Sequence, residues 1–130
     1  MQALAAVIAR DERIPYALVF GSHARGAAHT GSDLEVAIGL RRGASLSLHE
    51  VGMLVADLER AAGRRVDLVL LDEAPPAIAY RVFRDGVTLV DREHRALAAR
   101  KAKAILEYLD FRPLEEIAVR GALAATVRGR

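Results

Sequence analysis

Tyr16-Ala17-Leu18-Val19-Phe20-Gly21-Ser22, followed after ten residues by Asp33-Leu34-Glu35-Val36-Ala37-Ile38, is the stretch on which the fold of this chain turns. An apolar strand ends in a glycine-serine turn, and a second strand carries two acids one residue apart. A glycine after a buried strand permits a sharp turn and close backbone approach, while a serine that opens a helical turn offers its hydroxyl and nearby N–H groups to phosphate oxygens. Because strand side chains alternate, Asp33 and Glu35 point to one side and Leu34 and Val36 to the other. Two carboxylates on one face suit magnesium, which takes hard oxygen ligands and shares its shell among one or two carboxylates, waters and substrate phosphates. The unit reads as a phosphate grip facing a metal platform, an arrangement suited to a magnesium-bound nucleoside triphosphate. Each part has a plainer reading when taken singly. Gly-Ser serves many strand-to-helix turns for backbone reasons, Asp33 can act as a cap after Ser32, and Glu35 can be an edge-strand charge that blunts aggregation. It is the spacing that joins them.

Outward from this unit, residues 1–11 read as a helix that packs on a sheet. Thr30-Gly31-Ser32 leads into the second strand, which extends to residue 39, and Arg41-Arg42-Gly43 marks a loop. Ser47-Leu48-His49-Glu50 has capping-box spacing, and Leu48, Val51, Leu54, Val55, Leu58 and Ala62 keep a helical period up to a stop at Gly63. A Val- and Leu-rich strand is expected over 65–71. Pro75-Pro76 opens a helix to about Asp85, Asp85-Gly86 turns the chain, and a short, mostly buried strand covers 87–90. From Asp91 the pattern is helical until Pro113, with Leu97, Ala104, Ile105, Tyr108 and Leu109 on one stripe and the basic residues from Arg92 to Lys103 on a face that is either solvated or meets an acidic partner. Tyr80 and Tyr108 read as helix-packing aromatics. The expected architecture is α/β (α+β), a mixed sheet of about four strands with helices mainly on one face, since the acids need the other side or an edge left open.

These residues resemble the nucleotidyltransferase superfamily that includes DNA polymerase beta, whose signature is Gly-Ser, a spacer, then Asp-x-Asp or Asp-x-Glu. The match runs from Gly21 to Glu35. Gly21-Ser22-His23-Ala24-Arg25-Gly26 and Ser32-Asp33-Leu34-Glu35 are similar to the minimal nucleotidyltransferase (MNT) family. Within it the chain resembles the MntA-type antitoxins that pair with HepT-type toxins, through its short length, the Phe83-Arg84-Asp85-Gly86 turn and the Glu107-Tyr108-Leu109-Asp110-Phe111 segment. The likeness extends loosely over residues 1 to about 115. It implies the nucleotidyltransferase fold, ATP as donor, and transfer of AMP to a hydroxyl, that of a tyrosine, on a HepT-type toxin, which neutralises the toxin.

The resemblance also implies a third carboxylate on a neighbouring strand. Asp67, within Arg65-Val66-Asp67-Leu68-Val69-Leu70-Leu71, is the matching candidate. It interrupts an apolar run long enough for a buried strand, and an isolated acid in such a place needs a partner or a metal. By the same resemblance Asp33, Glu35 and Asp67 are the catalytic and metal-holding residues for two Mg2+ ions, with Asp67 helping to deprotonate the acceptor. Gly21 and Ser22 grip the β and γ phosphates. Arg25 is either a solvated helix residue or a guanidinium that braces the turn or reaches phosphate. Glu35 departs from the pattern, because minimal members more often carry Asp there. The added methylene moves a carboxylate by roughly an ångström, whereas metal-ligand distances hold within about 0.2 Å, so weakened activity is expected. Two other readings stand beside this one: an antitoxin that neutralises by binding without catalysis, and a free-standing transferase acting on a small molecule such as an aminoglycoside.

At 130 residues the chain is of ordinary single-domain size. It is read as a nucleotidyltransferase domain over residues 1–112 and a tail over 113–130 that is either a flexible end or a partner-binding arm. Nineteen basic against seventeen acidic residues give a net charge of +2, too small to argue for a dedicated nucleic-acid surface. The absence of cysteine excludes disulfides and thiolate metal sites and fits a cytoplasmic protein. The apolar N-terminus is too short to span a bilayer. Histidines 23, 29, 49 and 94 have no paired metal-ligand spacing and read as surface residues.

Overall fold

The computed structural model describes residues 1–21, 24 and 32–128, with side chains described as far as 112. Tyr16–Phe20 (β1) pairs antiparallel with Leu34–Ile38 (β2) on one side and with Val87–Asp91 (β4) on the other, and Val66–Leu70 (β3) lies parallel to β2. The sheet order is therefore β3-β2-β1-β4. Its helices are Gln2–Ala9 (α1), Leu48–Ala62 (α2), Pro76–Asp85 (α3) and His94–Arg128 (α4), with a short 3-10 turn at Leu71–Glu73. The α/β class and the four-stranded mixed sheet are those expected.

β1 is apolar at every position and central in the sheet, so it has two faces to bury. Ala17 and Val19 join Val36, Ile38 and Leu58 beneath α1 and α2, while Tyr16, Leu18 and Phe20 pack with Ala79, Val82 and Phe83 of α3 and Ala104 of α4. Helices consequently cover both faces, which corrects the expectation of a sheet covered mainly on one. The two edge strands are also more open than their sequences suggest. In β3 only Val66 is buried and Asp67 is exposed, and in β4 Val87 and Thr88 face solvent while Val90 is buried. An apolar run of this length signals a strand but not its place in the sheet.

Helix α2 begins where its capping box predicts. Ser47 accepts from the Glu50 N–H, the Glu50 carboxylate accepts from the Ser47 N–H, and Gly63 ends the helix at φ 68°. Arg13 reaches across to Glu50 at 2.6 Å. The Arg13 guanidinium is the largest cause that lowers the Glu50 carboxyl to about 2, with the Ser47 N–H assisting. A depressed carboxyl contributes stability that is complete above its ordinary value of 4.5 and is lost as pH falls towards about 2. A titration of Glu50 followed by NMR should therefore show a midpoint near 2, and Arg13→Met should return it towards 4.5. An unchanged midpoint in the variant would remove Arg13 as the cause.

Not all of the basic residues that open α4 are solvated. Arg92 donates to the carbonyls of Ala9, Asp11 and Ile14, tying the end of α1 to the start of α4. Arg100 donates to the Leu71 carbonyl at 2.8 Å. The Tyr80 and Tyr108 rings stack with centroids 4.1 Å apart and join α3 to α4, as their helix-packing reading requires. The helix end expected at Pro113 is not found, since α4 continues to Arg128. A proline within a helix removes one backbone hydrogen bond and crowds the carbonyl four residues back. In a helix of 35 residues that cost is borne at a single position.

Candidate active site

The site forms where β1 ends, β2 begins and β3 runs alongside. Gly21 closes β1 with φ 77°, a left-handed conformation that a side chain disfavours. Antiparallel register sets Phe20 opposite Glu35, and parallel register sets Glu35 beside Asp67. The Leu34 N–H donates to the Arg65 carbonyl at 2.9 Å and fixes that register at its first rung. Because Leu34, Val36, Val66 and Leu68 belong to the core beneath α1 and α2, the alternate residues Glu35 and Asp67 share the opposite face, the one α3 partly covers. Asp33 lies just ahead of β2 and is exposed.

Glu35 extends back over the turn, and its Oε2 stands 1.6 Å from where a Cβ on Gly21 would be. Only glycine leaves room for the carboxylate in this position. Its Oε1 accepts from Arg81 Nη2 of α3 at 3.3 Å, and the Arg81 guanidinium carbon sits 5.7 Å from the centre of the Phe20 ring. The Glu35 side chain is 28% exposed and that of Arg81 44%, so the pair sits at the mouth of the site within reach of solvent.

The donor set can be tested for magnesium on this geometry. Glu35 and Asp67 are neighbouring hard-oxygen donors on one face, and a guanidinium already stands beside Glu35 as a stand-in cation. Both facts fit a divalent ion. Among the described residues no three His, Cys, Asp or Glu side chains converge as a metal-holding group. The structure thus pairs Glu35 with Asp67 in register, without a closed triad of Asp33, Glu35 and Asp67 among the described residues. Ser22 and Arg25, the other expected nucleotide contacts, lie outside the described residues.

Asp67 is exposed on an edge strand, so the burial argument made for it from sequence does not hold. Its candidacy rests on register with Glu35. Arg81 was not legible in the sequence, because it stands 46 residues from Glu35 and meets it only through packing of α3 on β1. His49 and His94 are exposed, as expected for surface histidines, and His94 pairs with Asp91 at 2.9 Å. A cavity of about 610 Å³ lined by Val7, Arg10, Met53 and Leu54 lies on the α1–α2 side, across the sheet from Glu35. It contains none of the three acids.

The model of the family "Polymerase beta, Nucleotidyltransferase" matches residues 2–95. No curated protein matches the chain. A crystal structure of a toxin-antitoxin with AMP-PNP superposes with a TM-score of 0.81 at 20% identity, covering 94% of this chain and 98% of that one. A tri-AMPylated Shewanella oneidensis HEPN toxin in complex with MNT antitoxin gives a TM-score of 0.75 at 19% identity, covering 95% and 99%. A chain assigned as a minimal nucleotidyltransferase is 32% identical over 66% of this chain and 85% of its own, with a TM-score of 0.54. At 19–20% identity the first two likenesses are of fold.

Proposed function

Because the chain belongs to the polymerase beta nucleotidyltransferase family, we propose that it transfers AMP from ATP to a tyrosine hydroxyl of a HepT-type toxin and so acts as that toxin's antitoxin. The observation that carries the reading is the placement of Glu35 beside Asp67, with the Glu35 carboxylate lying over a positive-φ glycine turn. The fold shared with a toxin-antitoxin bound to AMP-PNP and with a complex holding an AMPylated toxin supports the donor and the acceptor class.

In this reading Gly21 brings the backbone close to the β and γ phosphates, and Ser22 adds its hydroxyl and N–H. Asp33, Glu35 and Asp67 supply the carboxylates that would hold magnesium. When bound, the metal neutralises phosphate charge and lowers the pKa of a coordinated hydroxyl. Asp67, open on the β3 edge, takes the acceptor proton. The acceptor oxygen forms its bond to the α-phosphorus, the bond from that phosphorus to the bridging oxygen breaks, and pyrophosphate leaves with the electron pair. The longer Glu35 makes this transfer slow. Arg25 is assigned with Gly21 and Ser22 to the nucleotide-binding residues, 1–112 to the transferase domain, and 113–130 to an arm for the partner. Use of ATP places the activity in the cytoplasm, and no helix among the described residues is long and apolar enough to cross a membrane.

A second reading is favoured by Glu35 itself, which stands where minimal members of the family more often carry Asp. In it the chain neutralises its partner by binding alone. Intact-mass measurement separates the two. A HepT-type toxin is incubated with this chain, ATP and Mg2+. A gain of adenylyl mass that disappears with Asp33→Ala supports transfer. Neutralisation without mass gain, unchanged in Asp33→Ala, sinks it.

A further inference from the structure

We infer that Arg81 is a built-in counter-cation to Glu35: its guanidinium pairs with the carboxylate, and a divalent ion that binds there has to displace it. The inference rests on the reading of Glu35 as a metal ligand.

Three observations converge on Arg81. Its Nη2 donates to Glu35 Oε1, while the other carboxylate oxygen, Oε2, is confined against Gly21. One oxygen of the Glu35 carboxylate is therefore paired with a cation, while the other lies close against a glycine turn. The Arg81 guanidinium also lies 5.7 Å from the centre of the Phe20 ring, the residue paired in register with Glu35. A planar, weakly hydrated guanidinium keeps its place over an aromatic face where an ammonium would be drawn into water. Finally, the pair is solvent-accessible, with 28% and 44% of the two side chains exposed. A fully buried ion pair would be costly to part, whereas one at this exposure is weak enough to yield to a divalent cation.

Arg81 would act through Glu35, so it is a positioning residue. Its consequence is a raised threshold for binding metal. The other arginine near the end of α3, Arg84, is bound to Asp85 and does not touch Glu35, which makes it a control for loss of one positive charge on the same helix.

The test is binding of Mn2+ alone, without nucleotide, to the full chain, read as free Mn2+ by electron paramagnetic resonance. Arg81→Met should bind the ion about three- to fivefold more tightly than wild type, the ratio that corresponds to a surface pair approaching 1 kcal/mol. Arg84→Met should match wild type. Circular dichroism checks that each variant is folded, and Arg81→Lys provides a second variant that keeps the charge and is expected to bind less tightly than Arg81→Met. Equal affinity in wild type and Arg81→Met overturns the inference, as does an equal gain in Arg84→Met. Failure of wild type to bind Mn2+ at all, with or without ATP, overturns instead the assignment of Glu35 as a ligand, and this inference with it.

Discussion

Gly21→Ala is expected to lower nucleotidyl transfer by about a hundredfold while leaving the chain folded. Two independent effects act at this position. The φ of 77° disfavours any side chain, at a cost on the order of 1–2 kcal/mol. The added methyl would also lie 1.6 Å from Glu35 Oε2, a separation at which the carboxylate has to move. Glu35 can swing because its side chain is flexible and 28% exposed, so the fold survives. The site does not, because displacement of a reacting group by about 1 Å costs on the order of a hundredfold in rate. Thermal denaturation and single-turnover transfer, measured on the same preparation, check the two parts. A variant that lost stability yet transferred at the wild-type rate would show that the Glu35 carboxylate has no part in the chemistry.

Asp67→Asn should have the larger effect on rate and almost none on stability. Asp67 is exposed on the β3 edge, and substitutions at such positions usually change stability by less than about 0.5 kcal/mol. Asparagine keeps the shape and removes both the charge and the capacity to take a proton. A positioned general base contributes about 10²–10⁴-fold, so kcat should fall within that range. ATP affinity should change less, since the proposed role of Asp67 is to take the acceptor proton and not to grip the phosphates. A rate within a few fold of wild type would move the proton acceptor elsewhere.

The features legible in the sequence were those fixed by local chemistry. The Ser47–Glu50 capping box and the Gly63 stop marked α2 to the residue, and the strand-turn-strand around Gly21 placed β1 and β2. Periodicity of two predicted that Asp33 and Glu35 leave the core layer together. What escaped was set by packing between distant segments. Nothing local to Val66–Leu70 or Val87–Asp91 says that these strands form the two edges of the sheet, so both were expected to be more buried than they are. The apolar character of every residue in β1 was a sign that both faces would be covered, a sign outweighed by the need to leave the acids open. Pro113 is a strong local stop signal that the long α4 overrides. Arg81 carried no signal at all, because its meaning comes from the approach of α3 to the Phe20 end of β1.

The two carboxylates brought side by side by parallel register are the core of the account, and the fate of the phosphates of ATP tests their chemistry most directly. The chain and its partner would be supplied in parallel with ATP labelled at the α-phosphate and ATP labelled at the γ-phosphate, in Mg2+. Transfer of AMP predicts label on the partner from the α-phosphate alone, label in pyrophosphate from the γ-phosphate, and loss of both signals in Asp67→Asn. Label appearing on the partner from the γ-phosphate, or no label from either while the partner is still neutralised, would contradict it.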